Sequence, residues 1–445
     1  MLAQIETIAD KLSVAGIKPR DRIAILSENT IECAALIVSL WKIGSVAVPF
    51  STRLPVDRLN DLLKQMSCKC IFLSQTYETT DVEIERLKID CFVSSQLSWC
   101  NIKLDDLKLC LDADASIIFT SASTGSAKGV LHTIGNHYYS ALGAHNNMPF
   151  IKGDVWVMSL PICHVSGFSL IMRSMIEGAG LYFPKEGEPL NVAIKNPALT
   201  HISLVSAQLS KLLQDKESIK RLKKFKAILI GGSAVPPKLI EEALSNHLPV
   251  FKTYGSTEAA SQVTTTRPGD LRSDLNSSGR VLDYRQLKIS DDGEILVKGK
   301  TLFKGYVTID GFISAIDEKG FTHTGDTGEL KDSNLFVTGR KDLMFISGGE
   351  NIHPQEIERA IEQIKNVEQA IVVPMDDEVF GQIPAAIIKM SQPHILESQD
   401  IRNALEGKIE KFKIPKTILP WPDIEDTFMK PDRKAFQKYA AVTKE

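Results

Sequence analysis

Residues 22–50 read RIAILSENTIECAALIVSLWKIGSVAVPF, and this stretch decides the fold class. Residues 22–26 form a short apolar run of the length and composition of a buried strand. Ile31, Ala35, Val38 and Trp41 then recur at the three-and-four spacing of one helical face. Residues 46–50 are a second short apolar run, rich in valine. The theme repeats outward: 54–66 has the pattern of an amphipathic helix, and 117–120, 155–159 and 227–230 read as further buried strands with helices between them. Strands alternating with helices predict an α/β protein with largely parallel sheets. In such sheets ligands gather where the carboxyl ends of strands run into loops, which singles out the segments after Thr120 and Ile230.

From about 283 to 338 the texture changes to short strands and glycine turns, Asp291-Asp292-Gly293 and Asp310-Gly311 among them, which predicts a small β-rich subdomain. After Gly339-Arg340-Lys341-Asp342 comes a compact βα pattern ending in a lysine-rich tail. The expected division is a large N-terminal unit, 1–339, and a small α+β unit, 340–445. A chain of 445 residues, 43% hydrophobic and 24% charged, holds two or three packed units with ordinary cores. Its 52 basic and 55 acidic side chains leave a net charge of −3, which gives no electrostatic reason to expect nucleic acid or an anionic membrane. No apolar run approaches the roughly 20 residues of a membrane span. Glu6 and Asp10 interrupt the first stretch in a way a signal peptide does not tolerate. Seven cysteines, all between Cys33 and Cys163 and with only the Cys68/Cys70 CxC spacing, argue against a disulfide framework or a zinc site and for a reducing cytoplasm.

Six local patterns carry possible chemistry. Thr120-Ser121-Ala122-Ser123-Thr124-Gly125-Ser126-Ala127-Lys128-Gly129 follows a strand and offers backbone N–H groups, hydroxyls and a cation, the donors a polyphosphate needs. It departs from the GxxxxGK[ST] spacing of a Walker loop, and a plain Ser/Gly surface loop has the same composition. In Thr253-Tyr254-Gly255-Ser256-Thr257-Glu258 a hydroxyl adjoins a carboxylate, suited to a phosphate oxygen beside Mg²⁺ or to a simple helix cap. Asp326, in His323-Thr324-Gly325-Asp326-Thr327-Gly328, sits between glycines in an expected turn, where it binds ribose hydroxyls or shapes the turn. Gly339-Arg340-Lys341-Asp342 is followed by Ser347-Gly348-Gly349-Glu350-Asn351, a close backbone approach or a tight turn. Pro161-Ile162-Cys163-His164-Val165-Ser166-Gly167 presents a lone histidine after a strand, and Lys430 in Met429-Lys430-Pro431-Asp432-Arg433 is, read alone, a solvated lysine.

Their order decides what each alone does not. TSASTGSAKG, PICHVSG, YGSTE, HTGD, GRKD, SGGEN and a terminal lysine, spread over nearly the whole chain, resemble the adenylate-forming superfamily of acyl-CoA synthetases, luciferases and adenylation domains. The resemblance implies two half-reactions: a carboxylate attacks ATP to give an acyl-adenylate and pyrophosphate, then the acyl group passes to a thiol. It implies phosphate binding by Thr120, Ser121, Ser123, Thr124, Gly125 and Lys128, with Gly255 and Thr257 at the α-phosphate and Glu258 as Mg²⁺ ligand. Asp326 and Arg340 match the ribose pair, and Lys430 the lysine that bridges carboxylate and phosphate. Asp342 matches a hinge about which the C-terminal unit swings. Gly348 and Gly349 then line the thiol tunnel of coenzyme A, and His164 stands beside the acyl pocket. Ala122 and Ala127 replace a glycine and a proline of the family loop; Lys416 and Lys434 are the other candidates for the terminal lysine.

His132-Thr133-Ile134-Gly135-Asn136-His137 with Ser140-Ala141, Ser159-Leu160-Pro161 leading to His164, and Thr200-His201-Ile202-Ser203-Leu204-Val205 are similar to the o-succinylbenzoate–CoA ligase family of menaquinone biosynthesis. Such a substrate has two carboxylates, and the one that does not react needs a cation or strong donors. Arg173 is the candidate, with His201 and Ser206 beside it. A ligase for a monocarboxylic acid, or an adenylation protein that loads a separate carrier, are the alternatives.

Overall fold

The computed structural model describes residues 1–88, 99, 101–120, 128–390, 398–422 and 433–443. Arg22–Leu26 pairs in parallel with Val46–Phe50, both strands as the sequence pattern predicts, and on its other side with Cys70–Leu73, which that pattern does not single out. Asp114–Phe119 joins in parallel beyond Val46–Phe50, and the antiparallel strands Gly129–Thr133, Gly305–Thr308 and Gly311–Ile313 complete a seven-stranded sheet.

The second sheet has eleven strands and two textures. Val250–Ser256, Ala227–Ile230, His201–Leu204, Val155–Val157 and Gly180–Tyr182 run parallel. From Ser261–Thr265 onward, through Arg280–Val281, Asn334–Arg340, Phe321–Lys331, Glu294–Gly299 and Arg285–Ile289, pairing is antiparallel. The β-rich part is thus continuous with the parallel strands, and its hairpin at 305–313 crosses to the other sheet.

Helix Ile31–Lys42 is buried throughout 33–41, and Val165–Glu177 throughout 167–175. A helix apolar all round belongs inside a protein. Here both contribute to one core with Ile23, Ile25 and Ala47 of the first sheet and Trp156, Leu229 and Phe251 of the second. Thr30 caps the first helix by accepting from the Cys33 N–H at 3.1 Å.

Residues 345–443 build a third sheet around the hairpin Val367–Asp377 and Gly381–Met390. Side-chain alternation sends Val372 and Ala386 to a core with helix Pro354–Glu362, and Val373 and Ala385 to another with helix Arg433–Thr443. Arg433 is anchored by Glu358 at 2.6 Å and by the Val372 carbonyl at 2.9 Å. Across the connection, Arg359 donates to the Val337 carbonyl at 2.7 Å and to that of Thr338. No helix among the described residues is long and apolar enough to cross a membrane.

Candidate active site

Strand Val250–Ser256 runs from the parallel into the antiparallel half of its sheet, and the strand, the following turn and the next strand bond to Asp326, Tyr306 and Arg173. Gly255 is required there: a Cβ would lie 1.9 Å from the Ser261 carbonyl oxygen. The turn also holds Ala260 at φ 52 and Ser261 at φ 109, left-handed conformations that cost a side-chain-bearing residue about 1–3 kcal/mol each.

Glu258 accepts from the Tyr306 hydroxyl at 2.9 Å, and the Lys128 ammonium lies 5.1 Å from the centre of the same ring. Burial, and then the Glu258 carboxylate, raise the Tyr306 pKa, so the phenol stays protonated and donating. Tyr306 thereby links the phosphate-loop lysine to the expected Mg²⁺ ligand. Sequence reading missed it, since only the strand pairing of Tyr306 with Val130 brings it there.

Asp326 accepts from the Tyr254 hydroxyl at 2.7 Å and from Arg340 at 3.1 Å. Arg340 also clasps Asp342 through Nε at 2.9 Å and Nη2 at 3.1 Å, which raises its pKa. The expected ribose pair and the expected hinge residue thus share one guanidinium. Asp326 lies within the long strand Phe321–Lys331 and not in the turn expected from its glycines; Gly325 at φ 71 and a bulge beside Thr327 take up the irregularity.

On the other side of the turn, Arg173 donates to Gln262 Oε1 at 2.6 Å, lies 3.5 Å from Ser261 Oγ, and sits 5.6 Å over the Trp156 ring. It is 4% exposed, and burial lowers its pKa to about 10, so it is charged at neutral pH. Among the described residues no carboxylate is within ion-pair distance of it. A small cavity with Ala141, Met148, Phe150 and Trp156 in its walls opens beside it. His201 stacks on Trp156, the ring that Arg173 lies over, and bonds to Thr200. Ser206 begins helix Ser206–Leu213 with a buried hydroxyl that has no hydrogen-bond partner among the described residues. His164 occupies the N-cap position of helix Val165–Glu177. Asn29, unmarked in the sequence, shapes the approach to it by donating to the Met158 and Leu160 carbonyls and accepting from the Ile162 N–H.

Gly348 and Gly349, at φ 58 and 91, form the turn between Phe345–Ser347 and Glu350–Ile352, a two-residue hairpin that needs both in the left-handed region. Thr120 ends its strand region by donating to the Lys128 carbonyl at 3.3 Å. Ser121, Ser123, Thr124, Gly125 and Lys430 lie outside the described residues. The described residues contain no group of three or more His, Cys, Asp or Glu able to hold a metal ion. Glu258 alone nevertheless fits Mg²⁺, which usually takes one or two carboxylates and completes its shell with water and substrate phosphates.

Burial lowers the pKa of His353 and of three buried histidines. Burial lowers His132 to about 4, His137 well below its usual value, and His201 to about 4. The unfolded chain takes up the His132 and His201 protons from about pH 6.5 downward, the folded chain only near pH 4, and His137 is shifted in the same direction. Stability is therefore full above pH 6.5 and falls as pH drops through that window, by about 1.4 kcal/mol per pH unit for each histidine. Thermal unfolding should show a midpoint that declines from pH 7 to pH 5; a flat midpoint would refute the neutral buried state.

These features define an enzyme that binds a nucleotide and activates a carboxylate. The chain belongs to the AMP-binding enzyme family, whose model matches residues 1–307, with the family's C-terminal domain matching 356–427. It is 34% identical over 423 residues to the 2-succinylbenzoate–CoA ligase of Oceanobacillus iheyensis, covering 93% of this chain and 88% of that one. Among solved structures it resembles o-succinylbenzoate CoA synthetase from Bacillus subtilis with the acyl-adenylate OSB-AMP, at TM-score 0.81 and 26% identity over 98% and 92% of the two chains. The same enzyme with ATP and magnesium ion matches at TM-score 0.80 and 28% identity over 94% and 89%.

Proposed function

We propose that this protein is an ATP-dependent 2-succinylbenzoate–CoA ligase of menaquinone biosynthesis. The observation that carries the substrate is Arg173, a buried cation with no acidic partner among the described residues, one residue's contact away from the turn that bears Thr257 and Glu258. The names and bound ligands of the relatives support the same reading.

In the first half-reaction the aliphatic carboxylate of the substrate attacks the α-phosphorus of ATP, and the bond to the β-phosphate breaks with pyrophosphate as leaving group. Lys128, with Thr120, Ser121, Ser123, Thr124 and Gly125, holds the outer phosphates; Thr257 orients the α-phosphate beside Gly255. Glu258, steadied by Tyr306, holds Mg²⁺, whose chemistry is to neutralise phosphate charge. Asp326 and Arg340 hold the ribose, Lys430 stabilises charge in transit between carboxylate and phosphate, and Arg173 neutralises the aromatic carboxylate. His201 and Ser206 complete the pocket around Trp156 at a distance from the reacting atoms. In the second half-reaction the unit 340–445 turns about Asp342 and withdraws Lys430, and Gly348 and Gly349 leave room for the thiol arm of coenzyme A beside His164. The thiol sulfur attacks the acyl carbonyl and AMP departs. A cytoplasmic location is part of this proposal; the free thiols of Cys33, Cys68, Cys70, Cys110 and Cys163 support it.

The test is pyrophosphate release by the purified protein with ATP and Mg²⁺, using 2-succinylbenzoate, benzoate and medium-chain fatty acids, with and without coenzyme A. Preferential turnover of 2-succinylbenzoate to its thioester is expected. Preference for a monocarboxylate would overturn the substrate, and pyrophosphate from none of them would overturn the activity.

A further inference from the structure

The turn that presents Thr257 and Glu258 is strained, and three of its carbonyl groups are each gripped by a different distant element. His132 Nε2 meets the Thr257 carbonyl at 2.7 Å, the Phe303 N–H donates to that of Glu258 at 2.9 Å, and Ser140 Oγ donates to that of Ala260 at 2.6 Å. Two left-handed side-chain-bearing residues in succession persist only where the surroundings over-determine them.

Ser140 is 1% exposed and is itself held from behind. Arg285 Nη2 donates to Ser140 Oγ at 3.0 Å and to its carbonyl at 3.3 Å, while Nη1 donates to the Asp283 carbonyl at 2.8 Å. Gly143 packs so closely that a Cβ there would lie 2.5 Å from Nη1, so the guanidinium has one place to sit. Arg285 is 7% exposed, and burial, then the charge of Arg173, lower its pKa to about 9. No carboxylate among the described residues is within ion-pair distance of it. The fold thus keeps a second cation in its interior, repelled by the first, to make neutral hydrogen bonds that end on the strained turn. Arg173 reaches Ser261 of that turn directly, and Arg285 reaches the preceding Ala260 through Ser140.

We propose that Arg285 and Ser140 are positioning residues for the adenylation step, fixing the Ala260 carbonyl so that the strained turn holds Thr257 and Glu258 toward the nucleotide. They touch no substrate. Without them the Ala260 carbonyl loses its donor, the two left-handed residues relax, and Glu258 leaves the 2.9 Å contact with Tyr306. The inference rests on the reading of Thr257 and Glu258 as nucleotide and Mg²⁺ ligands and goes beyond it.

The experiment compares the full-length protein with Ser140→Ala and Arg285→Met, reading pyrophosphate release and, separately, calorimetric binding of Mn²⁺–ATP. Both variants should lower kcat roughly 10- to 100-fold and raise the Mg²⁺ requirement, with KM for the acid within about 3-fold, the signature of an interaction expressed in the transition state. Mn²⁺–ATP binding should weaken several-fold. Ser140→Ala removes a single oxygen and carries the test if Arg285→Met does not fold. Unchanged kcat and Mn²⁺–ATP binding in folded Ser140→Ala, or a rise in acid KM alone, would overturn the proposal. If the wild-type protein turns over no acid, weakened Mn²⁺–ATP binding in the variants still upholds the positioning role and the ligase reading alone falls.

Discussion

Arg173→Leu is expected to lower kcat/KM for 2-succinylbenzoate by roughly 10²- to 10³-fold, because truncating one partner of a buried, hydrogen-bonded charge pair costs about 2–5 kcal/mol. The loss should fall mainly on KM, since the aromatic carboxylate is bound alike before and during reaction. Turnover of a monocarboxylic analogue should change little. Fold stability should change little too: leucine removes a desolvated charge but leaves Gln262 Oε1 without its 2.6 Å donor, and these effects oppose each other. Pyrophosphate release with the two acids side by side decides it. An equal fall for both would make Arg173 a packing residue, and no fall would remove it from the site.

Lys430→Ala should cost more in rate. A preorganised cation at developing charge is worth about 3–4 kcal/mol, so adenylation should slow by roughly 10²- to 10³-fold. The second half-reaction, started from synthetic acyl-adenylate and coenzyme A, should stay within about 3-fold, because the proposed mechanism withdraws Lys430 before that step. Lys416→Ala and Lys434→Ala are the controls. Lys416 lies 4.5 Å over the Phe380 ring next to strand Thr417–Pro420, and Lys434 belongs to helix Arg433–Thr443. A large loss in either of these, with Lys430→Ala active, would transfer the role to that lysine.

The parts of this fold that sequence reveals are those whose information is local. Arg22–Leu26, Ile31–Lys42 and Val46–Phe50 are so thoroughly buried that composition and period alone place them. Thr257, Glu258, Asp326 and Arg340 are named from motifs; in the structure Glu258 bonds to Tyr306, and Asp326 to Arg340 and to Tyr254 of the strand that leads to Thr257. Asp326 was expected in a turn because flanking glycines read as turn residues, whereas the ladder with Asn334–Arg340 absorbs them as a bulge. Tyr306 and Arg285 carry no motif, and Ser140 belongs to a family-like stretch that gave it no role. Ser140 acts on Ala260 120 positions away, Arg285 on Ser140 145 positions away and Tyr306 on Glu258 48 positions away, so only the tertiary pairing exposes what they do. His201 was expected to line the acyl pocket; the structure stacks it on Trp156, which borders the cavity beside Arg173.

The hairpin at 305–313 has a consequence for how the molecule comes into being. Strand Gly305–Thr308 pairs with Gly129–Thr133, completing the first sheet with residues synthesised long after the rest of it. Closing so large a loop is entropically costly and belongs late in folding. A nascent chain that has finished both parallel sheets therefore still lacks the strand that carries Tyr306. Chemical competence arrives with one of the last long-range contacts to form, so recovery of pyrophosphate release after dilution from denaturant should lag behind recovery of helix content.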